Sequence, residues 1–202
     1  MDVYFTPMTC SLATRIALYE DAVDATFHEV ALSTKKLPDG GDLLAINPRG
    51  QVPALRTQAG DVLTENAAVF QHLAALAGHE SDDRLREWLS YVGSEIHKAI
   101  YYTIFDPRSP PKAKTFARKV LLPPCYTFLS QRFAERDYLE GTYTVADAHL
   151  FTTLCWAETA GVDLEAWPVL KAYRRWVGEG PAVARAVSEE GALRMADETA
   201  KA

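Results

Sequence analysis

The pattern of this chain changes abruptly at His79-Glu-Ser-Asp-Asp83, and that change constrains the fold more than any other feature. Before this polar break, short apolar runs alternate with helical patterns. Residues 3–5 predict a strand, and residues 11–22 carry Leu12, Ile16, Ala17 and Leu18 at helical spacing. Residues 27–32 alternate as a half-buried strand does. Asn47-Pro-Arg-Gly50 is turn chemistry, followed by Val52-Pro53-Ala54-Leu55. A proline cannot donate to a ladder, so Val52 and Pro53 are expected at a sheet edge or strand start. Ala59-Gly60-Asp61 reads as a hairpin turn, and Thr64 is expected to cap a helix over 65–77 that closes on Gly78. The order β-α-β-(α)-β-β-α calls for an α/β layer with at least one parallel pair.

Beyond the break no segment reads convincingly as a strand. Residues 84–105 place Leu85, Trp88, Leu89, Val92, Ile96, Ala99, Ile100 and Thr103 at helical spacing, and Asp106-Pro-Arg-Ser-Pro-Pro111 stops the run. Residues 112–134 are helical in pattern, with Pro123-Pro124 expected to kink or split them. Thr144-Val-Ala-Asp147 forms a capping-box-like start, with Asp in the usual Glu or Gln place, for a helix to 160 that Gly161 ends. Pro168 suits the first turn of a helix over 169–177, and the polar tail after Gly191 reads as a frayed helix. The expected fold is therefore an α/β domain over 1–78 followed by an all-helical domain over 84–202.

With 202 residues the chain can build two small cores. Its net charge of −6 argues against an electrostatic nucleic-acid footprint. No run approaches the ~18 apolar residues of a membrane span, and Met1-Asp-Val-Tyr-Phe lacks the basic start of a signal peptide. Cys10, Cys125 and Cys155 are few, odd in number and widely spaced, which reads as reduced thiols in a cytoplasm. The histidines show no metal-ligand spacing, so no metal site is expected.

Cys10 lies at a strand-to-helix turn, where backbone N–H groups and the helix dipole favour thiolate over thiol. Ala13 stands where a C-x-x-C partner would be, so disulfide chemistry at Cys10 requires a thiol from outside the chain. The hydroxyls of Thr9 and Ser11 could donate to a sulfur or a ligand; simple burial of the cysteine is the alternative reading. Glu65-Asn66 opens a helix, an arrangement that suits a carboxylate at the exposed N–H groups and an ammonium at Glu65, or merely an acid that complements the dipole. Lys35 and Lys36 read by themselves as solvated loop lysines. Ser90, Gly93, Ser94 and Tyr101 flank His97 as a small-and-polar stripe, which can line a groove or make a close helix contact.

The chain resembles the glutathione transferases, most closely the bacterial beta class, over nearly its whole length. The resembling elements are Tyr4-Phe-Thr-Pro-Met-Thr-Cys10-Ser-Leu, Leu32-Ser-Thr-Lys-Lys36, Ala45-Ile-Asn-Pro-Arg-Gly-Gln-Val-Pro53 and Leu63-Thr-Glu-Asn66. In the second half they are Glu87-Trp-Leu-Ser-Tyr91, Glu95-Ile-His-Lys98 and Thr144-Val-Ala-Asp-Ala-His-Leu-Phe151. The resemblance implies a thioredoxin-like N-terminal domain that binds glutathione, a helical domain that lines the electrophile site, and a homodimer. It implies that Val52-Pro53 is a cis-proline turn pairing with the cysteinyl part of glutathione, that Lys35 meets its glycyl carboxylate, and that Glu65 and Asn66 hold its γ-glutamyl headgroup. Thr9, Cys10 and Ser11 are implied to face the ligand sulfur, with Cys10 able to form a mixed disulfide with it. His97 is implied to lie close to the same sulfur, and Ser90, Ser94 and Glu95 near the ligand. Thr144 and Asp147 match the family's structural helix cap. Asn66 stands where Ser or Gly is usual, and the segment joining the domains is several residues shorter.

Three functions follow as expectations. The first is a cytoplasmic glutathione transferase that attacks electrophilic, mostly apolar small molecules, with Cys10 and His97 as its catalytic residues, glutathione as co-substrate and no cofactor. The second is a glutathione-dependent thiol–disulfide oxidoreductase or peroxidase acting through a Cys10–glutathione mixed disulfide. The third is a non-catalytic carrier of apolar ligands or an interaction module. None of the three calls for nucleic acid or a membrane.

Overall fold

The computed structural model describes residues 1–79 and 82–200. Glu80 and Ser81 of the polar break, and the last two residues of the tail, lie outside the described residues. The chain divides into two compact units, Met1–Ser81 with Gly180–Ala202, and Asp82–Glu179.

In the first unit, β1 (Asp2–Phe5), α1 (Leu12–Glu20) and β2 (Thr26–Glu29) form a crossover whose strands pair in parallel, Val3 opposite Phe27. After the short α2 (Leu43–Ile46) come β3 (Ala54–Arg56) and β4 (Val62–Thr64), antiparallel to one another. β3 also pairs antiparallel with β1, giving the mixed sheet order β2-β1-β3-β4. This is the thioredoxin-like arrangement. Gly60 takes φ 93° in the hairpin turn, a conformation that a side chain would strain. Pro53 ends just short of β3, which lets this strand lie inside the sheet, not at its edge, without a missing donor. Tyr4, Val30, Leu43, Val52 and Ala54 pack together in the core.

The next helix, α3 (Asn66–Leu76), starts differently from the sequence expectation. Thr64 is the last residue of β4, and Glu65 is the N-cap, at φ 68°. Past its C-cap Ala77, Gly78 takes the left-handed position expected of it, φ 77°.

The second unit is helical. Helix α4 spans 83–105 and widens to i→i+5 hydrogen bonding over Val92–Tyr102. Helix α5 spans 111–132 and widens likewise over Ala117–Leu121. Pro123 and Pro124 lie in the first turn after that stretch, so the expected break is taken up as a change of pitch. Helix α6 (Val145–Cys155) is buried on every side from Val145 to Leu154, as suits a central helix. Its capping box is present: Thr144 caps the N3 backbone, and Asp147 accepts from the Thr144 N–H at 3.0 Å. The helix stops at Cys155, earlier than expected, and turns follow to Gly161 at φ 68°. α7 (Pro168–Gly178) opens on Pro168 as expected.

The main difference lies in the tail. It is a helix of 20 residues, α8 (Pro181–Ala200), and it belongs to the first unit, not to a domain over 84–202. Its inward stripe is Val183, Ala186 and Glu190, all buried. A stripe this short, with a carboxylate in it, leaves almost no apolar periodicity to read.

Candidate functional site

The loop 47–53 ties five of the expected ligand residues together. Asn47, 3% exposed, closes it from inside: its Nδ2 donates to Gln51 O (2.8 Å), and its Oδ1 accepts from Arg49 N (3.1 Å). Gly50 is packed closely, and a side chain there would be strained. It sits at φ 60°, and a Cβ there would come within 3.2 Å of Lys35 Cε. The Lys35 stem thus lies over the loop, while Arg49 reaches the other way to Glu65, Nη1 to Oε1 at 2.5 Å. At the end of the loop, across the cis Val52-Pro53 peptide, the Val52 carbonyl accepts a hydrogen bond from Cys10 Sγ at 3.1 Å. Cys10, Lys35, Val52, Pro53 and Glu65 are therefore gathered around one loop.

Lys35 and Lys36 divide the labour. Lys36 pairs with Asp42 at 3.0 Å, whereas among the described residues no carboxylate engages the Lys35 ammonium. Lys35 is itself left-handed (φ 62°), held by its N–H on Ala31 O (2.7 Å) and its carbonyl under Leu43 N–H (2.8 Å). Glu65, the other charged candidate, pairs with Arg49 through Oε1 and keeps its side chain about half exposed. Asn66 begins α3 directly behind it, and Glu65 O takes the N–H groups of Ala68 and Val69.

Cys10 stands one residue ahead of Ser11, the N-cap of α1. The turn that carries it is tightly knit. Thr9 Oγ1 donates to Thr6 O at 2.8 Å, and Ser11 Oγ donates to the same oxygen at 3.2 Å while accepting from Thr6 N–H. Each hydroxyl has a single proton. The two hydroxyls also lie 3.0 Å from one another, so both are hydrogen-bonded inside the turn. Met8, in the same turn, adopts φ 60°, which for a residue with a side chain costs on the order of 1–3 kcal/mol.

The stripe on α4 does not stay together. Ser90, Ser94 and Glu95 are exposed, and Ser94 Oγ donates to Glu95 Oε1 at 3.1 Å. Tyr101 is fully buried and shares a 2.5 Å hydrogen bond with Tyr126. His97 packs against His149 (5.6 Å between ring centroids) and Trp156 (5.3 Å), and a Cβ on Gly93 would meet His149 at 3.9 Å. The widened turns over Val92–Tyr102 bear on the separation: residues three apart, such as Ser94 and His97, no longer share one face there, while Gly93, His97 and Tyr101, four apart, still turn toward His149 and Trp156. Burial, with Lys98 adding to it, pushes the His97 imidazole down to about 4. His97 is thus neutral at neutral pH. Among the described residues no His, Cys, Asp and Glu group forms a metal site, and no helix is long and apolar enough to cross a membrane.

Sequence reasoning missed Arg49, Met8 and Glu190. Arg49 was legible only as part of a turn. Glu190 Oε2 accepts from Met8 N–H at 2.7 Å across 182 positions, and no local pattern signals such a pair. In the first unit the arrangement offers a thiol beside a backbone edge, an ammonium that no carboxylate engages among the described residues, and a carboxylate–guanidinium pair. It suits a small thiol compound bearing both a carboxylate and a zwitterionic headgroup.

Known proteins point the same way. Residues 7–76 match the family model described as glutathione S-transferase, N-terminal domain. The glutathione S-transferase GstA of Escherichia coli O157:H7 is 36% identical, over 95% of this chain and 99% of its own. A sphingomonad glutathione S-transferase solved in complex with glutathione is 36% identical with a TM-score of 0.88, covering 95% of this chain and 99% of its own. A ternary complex of BphK, a bacterial enzyme of the same kind, superposes with a TM-score of 0.90 at 33% identity, covering 95% of this chain and 100% of its own.

Proposed function

This chain belongs to the glutathione S-transferase family, and on that premise we propose that it conjugates the thiol of glutathione to electrophilic, mostly apolar small molecules. The observation that carries the reading is the loop 47–53, which gathers Cys10, Lys35, Val52, Pro53 and Glu65 in one place. Glutathione would lay its cysteinyl backbone along Val52, its glycyl carboxylate on the Lys35 ammonium, and its γ-glutamyl end at Glu65, Arg49 and the start of α3 at Asn66. The bound sulfur would then face the turn of Thr9, Cys10 and Ser11. The thiol proton leaves to solvent, the thiolate forms a carbon–sulfur bond to the electrophilic carbon, and the group it displaces, halide in an activated aryl halide, departs with the electron pair of the broken bond. Positioning supplies much of the rate. His97, neutral at the pH of the reaction, would act as a hydrogen-bonding imidazole and not as a cation. Ser90, Ser94 and Glu95 complete the proposed ligand set from α4. Glutathione is a co-substrate in this scheme and no cofactor is invoked. We place the enzyme in the cytoplasm as a homodimer, in keeping with three cysteines that form no disulfide.

A second reading follows from Cys10 itself, a thiol with Ala13 in the resolving position. The Cys10 thiolate would attack a glutathione mixed disulfide at its glutathionyl sulfur and release the other thiol. A second glutathione thiolate would then attack the Cys10–glutathione bond, yielding oxidised glutathione and restoring Cys10.

Titration calorimetry with millimolar glutathione, followed by turnover of an activated aryl halide, tests the first reading. Absence of binding by the wild-type protein overturns both readings. A glutathione adduct on Cys10 together with disulfide reductase activity, and no aryl halide turnover, selects the second.

A further inference from the structure

The turn that carries Cys10 is held from three sides. Thr6 Oγ1 donates to Val30 O at 2.6 Å, which ties the turn to the end of β2. The Thr9 and Ser11 hydroxyls knit it internally. The third hold comes from the far end of the chain. Glu190 of α8, whose side chain is completely buried, accepts from Met8 N–H at 2.7 Å through Oε2 and from Arg15 Nε at 2.9 Å through Oε1. Arg15 is nearly as buried, and its guanidinium lies 3.7 Å from the Phe27 ring centroid and 4.5 Å from that of Phe5. Its other branch donates to Glu189, which also accepts from Tyr19 and Arg185.

This arrangement is more specific than ordinary helix packing. A buried carboxylate is costly unless each oxygen is paired, and here one oxygen takes a cation and the other a single backbone amide. That amide belongs to Met8, the one residue of the turn in left-handed backbone geometry. Such a conformation persists only where its surroundings over-determine it. We infer that Glu190 is a positioning residue for the reaction. Through Met8 it fixes the turn of residues 6–11, and so sets the placement of Cys10 and of any thiol that faces it. The inference rests on the conjugation reading for its effect on turnover, but not for its effect on Cys10.

Glu190→Gln tests it. The amide keeps the shape but has one acceptor oxygen for two donors, and its NH2 must face one of them. With the turn released, kcat for glutathione conjugation to an activated aryl halide is expected to fall about tenfold or more, with KM for glutathione within about twofold of wild type. Without glutathione, alkylation of Cys10 by iodoacetamide, followed by peptide mass mapping, is expected to speed up about threefold or more, because the thiol leaves the Val52 carbonyl. Adding Met8→Gly, which takes left-handed geometry at no cost, should recover part of the lost kcat. Val183→Ala loosens the same helix without touching Met8, and should lower the melting temperature while leaving the Cys10 alkylation rate unchanged. Should Glu190→Gln fail to fold, Glu190→Asp, which keeps the charge but shortens the reach, is read in the same way. Wild-type kcat and wild-type alkylation in a variant that is merely less thermostable would overturn the inference. If the wild-type protein fails to bind glutathione, the conjugation reading falls, and the Cys10 alkylation rates still decide the role of Glu190.

Discussion

In the first unit the charged candidates Lys35 and Glu65 sit on loops with left-handed backbone, at φ 62° and φ 68°, whereas in the second His97 and Tyr101 sit on a helix and pack inward, His97 against His149 and Trp156 and Tyr101 against Tyr126, with Ser90, Ser94 and Glu95 exposed beside them. The contrast separates two ways of using a polar side chain. A loop held in a sparsely populated conformation presents its charge to solvent and to a ligand, at a backbone cost that the surrounding hydrogen bonds offset. A group buried on a helix is denied water, so its charged form is disfavoured: His97 is pushed down to about 4 and Cys155 up to about 12, in both cases chiefly by burial. Asp147 joins the second group, pushed up to about 6 by burial although Leu139, Thr144 and Tyr173 all donate to it.

The largest test of this division is all-or-none. Cys10→Ala should abolish any covalent glutathione adduct seen by intact mass, with part of the conjugating activity surviving; an adduct that persists would move the reactive thiol to the helical unit. Next, Asp147→Ala strands the buried N–H of Leu139 and the Tyr173 hydroxyl, and should cost about 2–4 kcal/mol in urea unfolding at neutral pH. A loss well under 1 kcal/mol would mean that the capping box is dispensable.

The pH dependence of stability gives the third test. The folded pKa of His97 lies below its unfolded value of 6.5, so the folded state binds fewer protons in between. Its contribution is complete above about 6.5 and is lost as pH falls toward 4, by up to about 3 kcal/mol. Asp147 works in the opposite sense: its folded pKa is raised, so its contribution declines as pH rises from 3.8 to about 6. The difference between wild type and His97→Gln isolates the histidine. The variant should lose less stability between pH 6.5 and 4, and parallel curves would place His97 in water.

Smaller effects probe the loop side. Lys35→Ala should weaken glutathione binding about tenfold by calorimetry, while Lys36→Ala, whose ammonium is held by Asp42, should stay within about twofold. Equal effects would erase the distinction between the two lysines. Last, Arg49→Ala breaks an ion pair in which both partners are about half exposed, and should change stability by no more than about 0.5 kcal/mol. A larger loss would show the loop to be more rigid than its exposure suggests.

Much of this architecture was legible from local pattern. Strand and helix order up to residue 78 is a matter of apolar period and turn residues, and so are the helix over 84–105 and the cap at Thr144. The candidate ligand set required more. Lys35 and Lys36 are alike as residues and differ only through Asp42. The stripe around His97 is continuous only at ordinary helical spacing; the widened turns of α4 keep Gly93, His97 and Tyr101 on one face and leave Ser90 and Ser94 exposed. The hydrogen bonds of the Thr9 and Ser11 hydroxyls to Thr6 O and to one another join residues close in sequence, yet no pattern of residue types announces them. The grouping of α8 with the first unit is not legible in the sequence, because a helix that buries a carboxylate carries little apolar periodicity.

The sequence by itself determined the α/β-then-helical order, the turn that carries Cys10, the capping box at Thr144 and the absence of a second cysteine in the C-x-x-C position. Each of these depends on residues within a few positions of one another, where spacing and conformational preference act directly. The tertiary structure alone decided that loop 47–53 gathers Cys10, Lys35 and Glu65, that Arg49 pairs with Glu65, and that Glu190 reaches Met8 across 182 positions. Such pairings are set by which buried polar groups must find a partner once water is excluded, and that is settled only when distant segments close on one another.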